Sequence, residues 1–263
     1  MLIYVIFFPT KIFSIWIDGT PLPIAKSGTS AAIINNEIAV IGGKGIIGNN
    51  PLSEIFDIEG RIWKPLNLFP KDFHGFRIIS FQNKILLCGG YDKQTPTRKC
   101  WIYDHNLSNW AQIGDMPYAR ADHAMVKIDD KVFFIGGVGE SNEKVMSYDL
   151  SFNTWNTNYA IFQNPLYSSG FGVYDNKIAI VGGLEVSNSK ISNRFETFDP
   201  SLNLWEKKIK FFKNNLWHLI FRYQCCRQNN KLILGEYNET FLQVVYLPFN
   251  YRWYCRCGAC CYC

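Results

Sequence analysis

The stretch Met116-Pro117-Tyr118-Ala119-Arg120-Ala121-Asp122-His123, followed by Gly136-Gly137, by Tyr148-Asp149 and by Trp155, is one unit of a pattern that recurs along the chain. Gly-Gly pairs stand at Gly42-Gly43, Gly89-Gly90, Gly136-Gly137 and Gly182-Gly183, spaced 47, 47 and 46 residues apart. Tryptophans stand at Trp16, Trp63, Trp110, Trp155, Trp205 and Trp253, spaced 47, 47, 45, 50 and 48. Two independent markers share one period, and a period of this size signals a repeat architecture.

Inside the unit the same columns recur. Seven residues before each of the last five tryptophans is an aromatic, Phe56, Tyr103, Tyr148, Phe198 and Tyr246, and Asp follows the first four. Six residues before each Gly-Gly ends a polar pair: Asn35-Asn36, Gln82-Asn83, Asp129-Asp130 and Asp175-Asn176. Such pairs tolerate positive φ and join two strands in a tight hairpin. Between pair and glycines lie apolar runs such as Ile85-Leu86-Leu87-Cys88 and Val132-Phe133-Phe134-Ile135. A short apolar run bounded by turn signals reads as a strand buried on both faces. Each unit is therefore a four-stranded antiparallel meander, and the glycines let the chain turn sharply against a neighbouring unit. Helical periodicity is absent.

This pattern resembles the kelch repeat, and the resemblance runs over residues 17–253. WD40 repeats are shorter and would end in Trp-Asp. The resemblance implies an all-β, kelch-type β-propeller of four-stranded antiparallel blades, similar to the kelch half of the BTB-kelch (kelch-like) proteins. The units fall at 17–63, 64–110, 111–155, 156–205 and a degenerate 206–253, which has Gly235-Glu236 in place of Gly-Gly. Residues 1–16 read as the last strand of an otherwise missing blade, and 254–263 as a Cys-rich tail outside the fold. Five full repeats plus one outer strand fall short of the six blades usual in that family. The propeller is thus expected to be incomplete, a piece of a longer protein.

Composition fits. The 263 residues are 48% hydrophobic and 16% aromatic, enough for a large β core, and the net charge of +5 carries no dense basic stripe of the kind nucleic acid demands. The nine cysteines are an odd count at uneven spacings, which argues against a secreted disulfide framework, and no metal site is expected from the tail. Two glycosylation sequons, Asn106-Leu107-Ser108 and Asn238-Glu239-Thr240, are too short to decide the compartment. The apolar run Leu2–Phe8 is read as a buried strand rather than a signal peptide, and a cytoplasmic location follows.

No nucleophile elbow, phosphate loop or zinc-protease motif occurs, and His74, His105, His123 and His218 sit in separate repeats. The expectation is no catalytic residue, no cofactor and a protein partner, with neither nucleic acid nor membrane bound. By resemblance the chain is a substrate-recognition propeller of an adaptor for a cullin-type ubiquitin ligase, engaged through an upstream BTB domain. An actin-binding cytoskeletal protein is the alternative, and a propeller enzyme a more distant one. In propellers of this kind the partner face includes the lead-in to each first strand and the loop after the glycines. Those positions are Lys26, Phe73 and Arg120, then Lys99, Lys144 and Arg194, with Tyr91 and Asp92 at the rim. Five of the first six are basic, which points to an acidic or phosphorylated peptide. Glu at Lys26 and Arg120 is expected to abolish capture with the fold intact.

Overall fold

The structure is a computed structural model in which residues 19–45, 53–66 and 73–207 are described. Readings that fall on 1–18 and 208–263, including Trp16, Trp253, the fifth repeat and the cysteine tail, lie outside the described residues.

The described chain is all β. Its first four-stranded sheet is β1 (Ser30–Ile34), β2 (Glu37–Ile41), β3 (Ser53–Asp57) and β4 (Ile62–Leu66). The short β5 (Phe73–His74) leads into the second, made of β6 (Arg77–Phe81), β7 (Lys84–Cys88), β10 (Cys100–Asp104) and β11 (Asn109–Ile113). Between β7 and β10 lie β8 (Tyr91–Asp92) and β9 (Thr95–Pro96). After β12 (Arg120–Ala121) the third sheet holds β13 (Ala124–Ile128), β14 (Lys131–Ile135), β16 (Met146–Asp149) and β17 (Thr154–Asn156), with β15 (Val138–Gly139) in its loop. Following β18 (Leu166–Tyr167), the fourth holds β19 (Gly170–Tyr174), β20 (Lys177–Val181), β22 (Phe195–Asp199) and β23 (Leu204–Lys207), with β21 (Leu184–Glu185) in its loop. All pairings are antiparallel, so these sheets are four kelch-type blades of the expected meander.

The polar pairs form two-residue hairpins. Pairing closes at Ile34↔Glu37, Phe81↔Lys84, Ile128↔Lys131 and Tyr174↔Lys177. Asn35-Asn36, Gln82-Asn83 and Asp175-Asn176 have positive φ at both residues, and the third hairpin at Asp129. That twist matches the flanking strands.

The apolar strand of each blade feeds two cores at once. Ile85 and Leu87 of β7 join the cluster shared with the first blade, which contains Ile34, Ile41, Phe76 and Trp101. Leu86 and Cys88, pointing the other way, join Met125, Phe134 and Tyr148 of the third. β14 repeats the division, with Val132 and Phe134 on one side and Phe133 and Ile135 packed against Ile178 and Phe198 on the other. Side chains alternate across a strand, so a continuous apolar run is what a sheet sandwiched between two neighbours requires.

The aromatic-Asp element and the tryptophan are cross-strand partners. Phe56–Trp63, Tyr103–Trp110, Tyr148–Trp155 and Phe198–Trp205 have ring centroids 4.9, 5.2, 4.8 and 5.0 Å apart. Each Asp carboxylate accepts backbone N–H groups of the turn that follows: Gly60 for Asp57, Asn106 and Leu107 for Asp104, Ser151 and Phe152 for Asp149, Ser201 and Leu202 for Asp199. These carboxylates hold turns, as their repetition implies.

One feature departs from the sequence reading. Cys88 and Cys100, opposite each other on β7 and β10, form a disulfide. Among the described residues it is the one disulfide, and it lies inside one buried sheet rather than stapling loops.

Candidate interaction face

The ends of the blades at which the Gly-Gly pairs lie are covered by a second tier of short pairings. β5 pairs with β8 and β8 with β9, β12 pairs with β15, and β18 with β21. In the first blade a bridge between Ser27 and Lys44 takes their place. Each small sheet joins the lead-in of a first strand to the loop after the glycines, the two segments assigned to partner binding from sequence.

Two sets of backbone bonds tie this tier from blade to blade. The second glycine of a pair donates to the next blade's lead-in: Gly43 to Phe73 O, Gly90 to Arg120 O (2.8 Å) and Gly137 to Leu166 O (2.8 Å). Further in, Gly75 N–H donates to Gly28 O, Asp122 N–H to Gly75 O and Ser168 N–H to Asp122 O, at 3.3, 2.8 and 3.0 Å. Gly28, Gly75, Asp122 and Ser168 all have positive φ, from 50° to 67°. This left-handed column was not recognised in the sequence, although its spacing of 47, 47 and 46 matches the glycines.

The tier sorts the eight residues assigned from sequence. Three of them are interior. Lys26 is 5% exposed and paired with the buried Glu54; Phe73 is 3% exposed and packs edge-on against Trp101; Arg120 is fully buried. The Arg120 guanidinium donates to the carbonyls of Gly136, Ser141, Asn142 and Lys144, and so holds the loop of its own blade. Burial lowers its pKa to about 10, with Glu143 opposing. The lead-in position is a packing position, and the basic lean read there belongs to the interior. Glu at Lys26 or Arg120 therefore reports on folding rather than on partner capture.

Arg194 is also engaged: it donates to Asn164 O, Gln163 O and Glu196, and lies over the Phe162 ring at 5.4 Å. Lys99 faces the solvent-exposed Asp115 at 3.0 Å. Lys144 lends its carbonyl to Arg120 while its side chain stays partly exposed. Tyr91 and Asp92 stand on β8 at the rim, with Asp92 exposed.

Two residues the sequence reading did not select join Tyr91. His74 stacks on it with ring centroids 5.1 Å apart, and Tyr167, from the lead-in of the fourth blade, lies near it and is also partly exposed, its hydroxyl donating to Ser189. Burial, and then the Asp122 carboxylate that accepts its hydroxyl, push the Tyr91 phenol far above its ordinary pKa. Burial, then the nearby Lys44, lower that of His74. At neutral pH both rings are therefore uncharged, and the face offers an aromatic patch with Lys44 near His74 and the exposed Asp92 next to Tyr91. Among the described residues no cluster of three His, Cys, Asp or Glu is placed to hold a metal. Nor is any helix among them long and apolar enough to cross a membrane.

Comparison with known proteins agrees with the architecture. The family model described as Kelch motif matches residues 73–117 and 119–157. Kelch-like protein 36 of Bos taurus is 25% identical over 202 residues, 73% of this chain and 33% of that protein. Beta-scruin of Limulus polyphemus is 29% identical over 156 residues, 54% of this chain and 17% of that protein. Kelch-like protein 15 of Homo sapiens is 22% identical over 218 residues, 73% and 35% respectively. The chain spans about a third of the length of the kelch-like relatives it matches.

Proposed function

We propose that this chain, which carries kelch repeats and resembles the kelch-like proteins, is a protein-interaction module that takes its partner on the Gly-Gly face. The observation that carries the reading is the second tier: a hydrogen-bonded rim that displays the uncharged, stacked pair His74–Tyr91 with Tyr167 alongside. Loops held by a scaffold are where binding residues concentrate, and partly exposed aromatics are the commonest anchors at protein interfaces. Asp92, Lys99 and Lys144 supply the polar rim. Lys26, Phe73, Arg120 and Arg194 act beneath it as supports.

The resemblance to kelch-like proteins favours a substrate-recognition role in a cullin-type ubiquitin ligase over filament binding, and with it a cytoplasmic location. In the cytoplasm, where thiols are kept reduced, Cys88 and Cys100 would serve as a buried thiol pair. The test is affinity capture of the full-length protein with and without Tyr91→Ala. We expect a cullin and one further protein to be recovered, and the further protein's affinity to fall roughly tenfold in the variant, as for an aromatic anchor. Recovery undiminished by Tyr91→Ala in a variant that melts like the parent overturns the face. Co-sedimentation with actin filaments, with no cullin captured, overturns the adaptor reading.

A further inference from the structure

The opposite ends of the blades carry the hairpins and the aspartate turns, because β13 and β14 close at Ile128↔Lys131 and Lys131 faces Asp149. Between the third and fourth blades this side opens into a groove of about 570 Å³. Phe133 and Tyr159, tilted edge-on 5.7 Å apart, line its apolar part, and Phe152, 78% exposed, stands beside it.

At the two preceding interfaces a side chain reaches across at the corresponding position. The residue after the turn aspartate is His105 in the second blade, and it reaches back toward Asn35 and Glu37 of the first. In the third blade it is Leu150, which packs into the cluster shared with the second. In the fourth it is Pro200, a short ring that itself lines the groove.

Its charge is one-sided. Asp129, Asp130 and Asp175 crown the hairpins at its edge, and Lys131 is the single cation among the residues lining it. Elsewhere turn carboxylates have lysine partners, Asp57 with Lys64 and Asp104 with Lys84, and within the groove Asp199 pairs with Lys177. No such pair forms at Asp129, Asp130 or Asp175 among the described residues. An aromatic-walled groove with a negative rim complements an extended segment that carries an apolar side chain between cations.

We propose that this groove is a second docking surface, on the side away from the Gly-Gly face, for a Lys/Arg-bearing peptide segment of a partner protein that seats an apolar side chain against Phe152. It is independent of the first face, since it shares no residue with it.

The test uses the full chain and a fluorescein-labelled peptide, Gly-Arg-Leu-Lys-Ser-Arg, against a counterpart with Glu at each cation, read by fluorescence anisotropy. The basic peptide binds and the acidic one does not. Asp129→Asn with Asp130→Asn and Asp175→Asn keeps the turn preferences while removing charge, and weakens binding about tenfold, the sum of three modest screened attractions. Phe152→Ser weakens it about fivefold, whereas Leu107→Ser, at the same turn position in the second blade, leaves it unchanged. No binding by either peptide, binding unaltered by the triple variant, or equal effects of Phe152→Ser and Leu107→Ser each overturn the proposal. The last outcome would mark a diffuse electrostatic contact.

Discussion

At the scale of single residues, the chemistry of this chain is concentrated in polar groups that the fold has buried. His123 is fully buried, its ring stacks 5.7 Å from Phe134, and among the described residues neither ring nitrogen has a hydrogen-bond partner. Burial first, then the charges of Arg77 and Arg120, hold its pKa well below the ordinary value. In the unfolded chain the imidazole takes up a proton near its usual pKa of about 6.5. Below that pH the unfolded state binds more protons than the folded one, so the contribution is whole above about pH 6.5 and is lost on acidification. Between about pH 7 and about pH 5.5 one such group removes roughly 1 kcal/mol, and His74, lowered for the same reason, adds in the same direction. Urea denaturation at the two pH values should show this loss in the parent and a smaller one in His123→Leu. Parallel losses would assign the pH dependence to other groups. The buried Arg120 shows why such residues mislead a sequence reading. The four described copies of its position are Lys26, Phe73, Arg120 and Leu166, and two apolar residues among four already mark an interior column. Charge suggested a surface; the repeat, read down the column, points inward.

Among the elements, the strands, hairpins and blade order were legible because each depends on contacts within one period. Apolar runs bounded by left-handed polar pairs can be little else. The second tier was not legible. β8, β12, β15, β18 and β21 are two residues each, and their pairing depends on where the glycines press the next blade's lead-in. Cβ atoms built at Gly89 and Gly136 would lie 2.3 Å from Arg120 O and Leu166 O respectively. The two have similar φ, +70° and +64°, so a side chain meets the same backbone strain at each. The left-handed penalty alone is about 1 kcal/mol. Alanine at Gly89 or Gly136 should cost about 3 kcal/mol or more, because a carbonyl of the neighbouring blade must move. Chemical denaturation of the two variants measures the cost; losses of only about 1 kcal/mol would mean that the doublet serves turn geometry and not blade contact.

For the whole molecule, the question is whether blades that look like independent sheets unfold as such. Repeat arrays are sums of unit stabilities and nearest-neighbour terms, and the balance decides whether they open piecemeal. Here the neighbour terms are large. Each hydrophobic cluster of the first three interfaces draws on two blades, and Arg77 spans three: it donates to His123 O of the third blade and lies 5.7 Å from the Phe171 ring of the fourth. Backbone bonds then run from Gly28 through Gly75 and Asp122 to Ser168, and from Gly90 and Gly137 to the lead-ins beyond them. An amide that belongs to no blade's own ladder is protected only while two blades stay docked. Native-state hydrogen exchange should accordingly find the N–H groups of Gly90, Asp122, Gly137 and Ser168 opening with nearly the same free energy as those of Leu87 and Phe134 in the sheet centres. Exchange at the inter-blade amides faster by about a hundredfold, or nearly 3 kcal/mol, would show undocking without blade melting. That result would make the Gly-Gly face a set of separable rims; matched protection makes it one rigid platform, able to hold His74, Tyr91 and Tyr167 in a fixed arrangement for a partner.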